Sequence, residues 1–156
     1  MPELKEGDKA PDFMLPSSDG GNVSLKEFKG KENIVLYFYP KDDTPGCTKE
    51  ACSFRDQKKL FQAQGAEIFG VSFDSVNSHK KFIAKYKLPF PLLSDEDKTV
   101  AKKYGVYKEK SFMGKSYMGI ERTTFVIDKD SKIRKIFPKV KVDGHTEEVL
   151  DAVKSL

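Results

Sequence analysis

Tryptophan is absent from this 156-residue chain, and cysteine and histidine occur only twice each. Two cysteines, Cys47 and Cys52, are too few for a disulfide framework, and a chain of this length can bury a core without one. Their proximity therefore calls for a chemical explanation. A zinc site needs four ligands, and the cysteines with His79 and His145 lack the usual paired spacing, so both histidines are read as surface residues. No metal or other cofactor is expected. Long apolar runs are missing too, since none approaches the roughly 20 residues of a membrane-spanning helix. The opening Met1 to Asp8 lacks the basic start and apolar stretch of a secretory signal. A cytoplasmic protein without a membrane partner is the expectation. Charge of one sign is scarce, with 28 Lys and Arg against 24 Asp and Glu mixed along the chain. Lys80-Lys81, Lys102-Lys103 and Lys139-x-Lys141 read as solvated faces, so no nucleic-acid partner is expected. No phosphate-binding loop is present, because Gly20-Gly21 sits in a turn without the required strand and helix around it.

What is present suffices for one domain over residues 1–156: 38% hydrophobic residues, with twelve Phe and six Tyr. Asn33 to Tyr39 is a continuous apolar run bounded by Lys31-Glu32 and Pro40, which predicts a central buried strand. A helix follows from about Thr48 to Gln64, with Ala51, Phe54, Leu60 and Phe61 as its apolar stripe and Gly65 as its stop. Ala66 to Ser72 reads as a second strand and Ser75 to Lys87 as a second helix, giving a βαβ unit with a right-handed crossover. Beyond Pro89 and Pro91 the pattern predicts a short strand at Leu92-Leu93-Ser94 and a helix over Asp95 to Tyr104. Thr123 to Ile127 and Ile133 to Phe137 form an antiparallel hairpin, and Gly144 to Leu156 the last helix. Asp12 to Leu15 and Asn22 to Leu25 make a small hairpin ahead of the sheet. This order describes an α/β, thioredoxin-like fold with an N-terminal β-hairpin extension and a central mixed sheet flanked by helices.

Cys47 follows the Pro45-Gly46 pair where a helix opens. Backbone N–H groups at a helix N-terminus favour negative charge, so a thiol there is inclined toward the reactive thiolate. The set Pro40-x-x-x-Thr44-x-x-Cys47, with Arg122 ahead of Thr-Thr-Phe-Val-Ile-Asp, resembles the peroxiredoxin active site. The stretch Tyr37 to Cys52 is similar to the bacterioferritin comigratory protein, or peroxiredoxin Q, subgroup, and the likeness runs from Gly7-Asp8 to the final helix. The resemblance implies a thiol-dependent peroxidase acting on hydrogen peroxide and organic hydroperoxides. Cys47 would be the nucleophile, Arg122 would hold its charge and contact the peroxide, and Thr44 would orient the peroxide oxygens. Pro40 would shield the pocket, and Glu50 would partner the arginine fork.

Attack would leave Cys47 as a sulfenic acid, and the resemblance implies that Cys52 condenses with it to an intramolecular disulfide. On one regular helix five positions separate the pair by about 7.5 Å of rise and about 140° of rotation, beyond the roughly 7 Å Cα limit for a bridge. The first helical turns would have to unwind. A passive Cys52, with recycling by an external thiol, is the alternative. The implied reductant is thioredoxin or a similar dithiol protein, and a monomer is expected because no cysteine lies near the C-terminus. A thioredoxin-type oxidoreductase would carry Cys-x-x-Cys rather than this wider spacing. A redox sensor or chaperone-like protein using the same cysteine remains a rival, separated from the enzyme by turnover.

Overall fold

A computed structural model describes residues 3–156. Its centre is a five-stranded mixed sheet in the order β5-β4-β3-β8-β9. These strands are β3 (Asn33–Phe38), β4 (Ala66–Ser72), β5 (Leu92–Ser94), β8 (Thr123–Ile127) and β9 (Ile133–Phe137). β3 runs parallel to β4 and antiparallel to β8, while β8 and β9 form the predicted hairpin. Every residue of β3 is buried because both sheet faces are covered. Ile34, Leu36 and Phe38 point into one core, Val35 and Tyr37 into the other, as the two-residue period of a strand requires.

Three helices cover the second of these faces: α1 (Pro45–Ala63), α2 (Val76–Tyr86) and α4 (His145–Lys154). The first face is covered by the N-terminal hairpin, β1 (Met14–Pro16) with β2 (Asn22–Ser24), by a 3-10 turn over Leu25–Phe28, and by the short α3 (Thr99–Lys103). Among the described residues no helix is long and apolar enough to cross a membrane.

Several expectations are corrected. The first helix opens at Pro45 rather than near Thr48, since proline at the first helical position loses no hydrogen bond. Leu60 is 52% exposed, and the buried stripe of α1 is instead Cys47, Glu50, Ala51, Phe54 and Phe61. The helix expected over Asp95 to Tyr104 shrinks to five residues: Lys98, in left-handed backbone, is its N-cap, and the buried Asp95 stays outside it, its carboxylate accepting from the first-turn N–H groups of Val100 and Ala101. A hairpin of β6 (Tyr107–Phe112) and β7 (Lys115–Ile120) was not anticipated; its strands are mostly exposed and polar, so no apolar alternation marks them. Both histidines are buried, at 0% and 1% exposure, not on the surface. Each lies on the inner face of an amphipathic helix with both ring nitrogens engaged, a pattern that hydrophobicity alone does not register. His145 sits between the Thr124 hydroxyl and Glu148, and burial pushes its imidazolium below the ordinary range despite the carboxylate.

Gly70 on β4 marks the closest packing beneath the first helix. A Cβ there would lie 2.7 Å from Leu92 Cδ2 and 2.8 Å from Tyr37 Cζ, and the Tyr37 ring stacks on Phe54 of α1 at 4.8 Å. Gly70→Ala is expected to cost about 1–3 kcal/mol of unfolding free energy in urea, the usual penalty of overpacking a tight core; an unchanged midpoint would show that the neighbours yield freely.

Candidate active site

The loop from Pro40 to Thr44 joins the end of β3 to the start of α1. Thr44 is the N-cap of α1, followed by Pro45, Gly46 and Cys47 in its first turn. Cys47 is thus the third helical residue, where its sulfur shares the end of the helix that carries unpaired N–H groups. It is 2% exposed, and both cysteines are free thiols.

Arg122 enters from the other side of the sheet centre, one residue before β8. Its Nη2 donates to Cys47 Sγ at 3.3 Å, and its Nη1 donates to Glu50 Oε1 at 2.7 Å. One guanidinium therefore bridges the sulfur and a carboxylate on successive turns of α1. Gly46 permits the approach, because a Cβ there would stand 3.2 Å from Arg122 Nη2. In the sequence Gly46 marks only where the helix opens; the clearance it provides is visible only with the arginine in place.

Glu50 is 1% exposed, and its Oε2 finds no hydrogen-bond partner among the described residues. Burial raises its carboxyl to about 7, with Arg122 only partly offsetting the desolvation. Burial works against the Arg122 charge as well, yet Glu50 and Cys47 more than compensate, and the guanidinium is held above its ordinary value. Beneath them lies the Tyr37 hydroxyl, also unpartnered among the described residues; burial first, then the charge of Glu50, holds its proton on.

Cys47, Arg122 and Glu50 are therefore brought into direct contact. Thr44 stands three residues before Cys47 at the helix cap, but its hydroxyl donates to the Lys41 carbonyl at 2.9 Å instead of capping a helix N–H. Pro40 is half-buried at the end of β3, and Cys52 is half-buried farther along α1, in a helix that is unbroken between the two cysteines. Sequence reasoning missed the buried Tyr39, Asp42 and His79 cluster behind the loop, whose members are scattered over 40 positions. Asp42, Asp74 and His79 have ligand-type atoms within 4.8 Å of one another.

The AhpC/TSA family model matches residues 6–136 of the chain. The chain belongs to that family: it is a peroxiredoxin. It is 51% identical to peroxiredoxin Bcp of Bacillus subtilis over 153 residues, covering 98% of this chain and 97% of the relative. A peroxiredoxin Q variant of Xylella fastidiosa superposes with a TM-score of 0.92 at 38% identity, covering 99% of this chain and 98% of that one. The bacterioferritin comigratory protein of Xanthomonas campestris, described with alkyl peroxide reduction activity, matches with a TM-score of 0.87 at 42% identity, covering 92% and 90%. The peroxiredoxin is accordingly a thiol peroxidase with cysteine-based chemistry, acting on peroxide with a thiol reductant.

The raised Glu50 carboxyl has a thermodynamic signature. Between its ordinary 4.5 and about 7 the folded protein keeps a proton that the unfolded chain has lost. Unfolding free energy therefore falls as pH rises through that window, by up to about 3 kcal/mol, and is not regained above it. Glu50→Gln is expected to remove this slope in urea titrations across the window; parallel slopes in both proteins would contradict the assignment.

Proposed function

We propose that Cys47 is the peroxidatic nucleophile and that Arg122, bridging its sulfur and Glu50, is the observation that carries this reading. The thiolate attacks one peroxide oxygen, the O–O bond breaks, and sulfur is oxidised to the sulfenic acid as the other oxygen leaves as hydroxide or alkoxide and takes up a proton. Arg122 favours the anionic sulfur and offers N–H donors where charge develops on oxygen. The Thr44 hydroxyl donates its hydrogen bond to the Lys41 carbonyl, so its lone pairs are free to accept from the peroxide O–H and orient the O–O bond toward the sulfur. Pro40 has no N–H to offer and limits water at the pocket edge. Substrates are hydrogen peroxide and organic hydroperoxides, consistent with the alkyl peroxide chemistry described for the Xanthomonas relative.

Cys52 then condenses with the sulfenic acid, forming an S–S bond and releasing water. Both cysteines lie on one continuous helix, so the turns from Pro45 to Cys52 must unwind first. Unwinding gives up the Arg122 contacts to Cys47 and Glu50, and two features lower its cost. Lys49 is paired with Asp143 at the surface, where an ion pair contributes little, and release of Glu50 ends the cost of its burial. Phe54, fully buried, and the Ser53 to Thr146 hydroxyl contact at 2.6 Å mark where the helix stays anchored. A dithiol protein of the thioredoxin type restores both thiols by exchange, becoming a disulfide itself. The chain works as a monomer in the cytoplasm under this reading.

Peroxide consumption coupled to thioredoxin tests the scheme. Cys47→Ser is expected to be inactive, Cys52→Ser to react once and lose thioredoxin-driven turnover, and Arg122→Lys to lose at least about tenfold in peroxide rate because one ammonium cannot serve both partners. Full turnover in both cysteine variants would overturn it. Amide protection over the first turns of α1 is expected to drop in the oxidised protein, and unchanged protection alongside a formed bridge would exclude unwinding.

A further inference from the structure

We propose that His79 acts through Asp42 as a positioning residue that aims the Thr44 hydroxyl, so that helix α2, outside the reacting groups, sets the preference of Cys47 for peroxides. The proposal rests on the reading above that Thr44 orients the peroxide.

The hydroxyl of Thr44 closes a tight turn onto the Lys41 carbonyl, and the direction of its lone pairs follows the turn. The two central residues of that turn, Asp42 and Asp43, are both tied to α2. Asp43 adopts a left-handed backbone, φ 57°, and its carboxylate accepts from Lys85 Nζ at 2.8 Å and from the Tyr86 hydroxyl at 2.9 Å. Asp42 is buried: Oδ1 accepts from the Tyr39 hydroxyl at 2.5 Å, Oδ2 accepts from the Ser78 hydroxyl at 2.7 Å, and Oδ2 lies 2.8 Å from His79 Nδ1. The Asp42 N–H donates to Asp74 Oδ2 at 2.8 Å, and that oxygen also accepts from the Ser72 hydroxyl.

His79 is fully buried, and its Nε2 faces the Leu93 carbonyl oxygen at 2.9 Å. A carbonyl only accepts, so Nε2 carries a proton; a second proton must lie between Nδ1 and Asp42, because two lone pairs would not meet at that distance. The imidazole thus clamps the carboxyl to β5. A cation among Asp42, Asp74 and His79 would have to displace that shared proton and the hydroxyl donors, so the cluster is a complete hydrogen-bonded clamp. A surface turn does not require a buried carboxyl with three partners, and burying one is costly unless every lone pair is served. What the clamp supplies is a fixed turn. A hydroxyl misplaced by about 1 Å can cost up to about 10²-fold in rate. The Cys47 to Arg122 contact is held separately by α1 and β8, so reactivity toward an electrophile that does not use Thr44 is preserved.

The test compares two reactions of Cys47 in a Cys52→Ser background: oxidation by hydrogen peroxide and alkylation by iodoacetamide, both followed by rapid-quench mass spectrometry. His79→Gln is expected to lower the peroxide rate about tenfold and leave alkylation within about twofold. Ser78→Ala, a milder change that keeps the fold if His79→Gln does not, is expected to lower the ratio about threefold. Thr44→Val, measured alongside, must lower the same ratio. If it does while His79→Gln and Ser78→Ala leave the ratio unchanged, the clamp is overturned and the Thr44 reading stands. An unchanged ratio in Thr44→Val overturns both. Peroxide and alkylation rates falling together in His79→Gln and Ser78→Ala would mark a purely structural role and overturn the proposal.

Discussion

One guanidinium holds the reactive end of this molecule together. Arg122 places one nitrogen on the Cys47 sulfur and another on the Glu50 carboxylate, and both partners sit on the inner stripe of α1. Three elements must agree for this to happen. β8 delivers the arginine beside the central strand, Pro45 starts the helix early enough to bring Cys47 into its first turn, and Gly46 leaves the guanidinium room. A lysine would offer charge without the fork that spans two residues of a helix.

The same contact sets a tension. Glu50 is buried with one oxygen bonded and the other unpartnered among the described residues, so the reduced arrangement is complementary to the sulfur but costly to the carboxylate. That cost falls within the first turns of α1, while the fully buried Phe54 and Phe61 pack the rest of the helix against the core. A helix designed only for stability would place an apolar residue at position 50. In the proposed cycle the first turns of α1 unwind so that Cys52 can reach Cys47, and release of the buried Glu50 offsets part of the cost of that step.

Much of the architecture was legible as pattern. The unbroken run Asn33 to Tyr39 announced a strand buried on both faces, and the β-α-β order with the late hairpin led to the thioredoxin-like sheet. The spacing from Pro40 to Cys47, with Arg122 ahead of β8, pointed to Cys47 and Arg122, which the structure brings into contact, whereas the Thr44 hydroxyl turns back to the Lys41 carbonyl. Signals failed where burial is polar or exposure is apolar. His79 and His145 read as surface residues because a histidine satisfied at both nitrogens leaves no hydrophobic trace, and Leu60 reads as core because it is apolar, although its side of the helix faces solvent. The β6–β7 hairpin escaped because both of its faces are largely exposed, which erases the alternation that marks a strand.

By itself the sequence determined which side chains can do the chemistry: a lone pair of thiols, a helix start beneath one of them, and an arginine ahead of an apolar strand. Local propensity and residue type decide those matters, since they depend on neighbours a few positions away. Tertiary structure alone decided the distances. Arg122 and Cys47 lie 75 positions apart, and Asp42 and His79 lie 37 apart. Their contacts exist only because β8 pairs beside β3, and α1 and α2 pack on the same face of the sheet. Hydrogen bonds act over about 3 Å, and no local pattern in a chain encodes a separation that the sheet must first close.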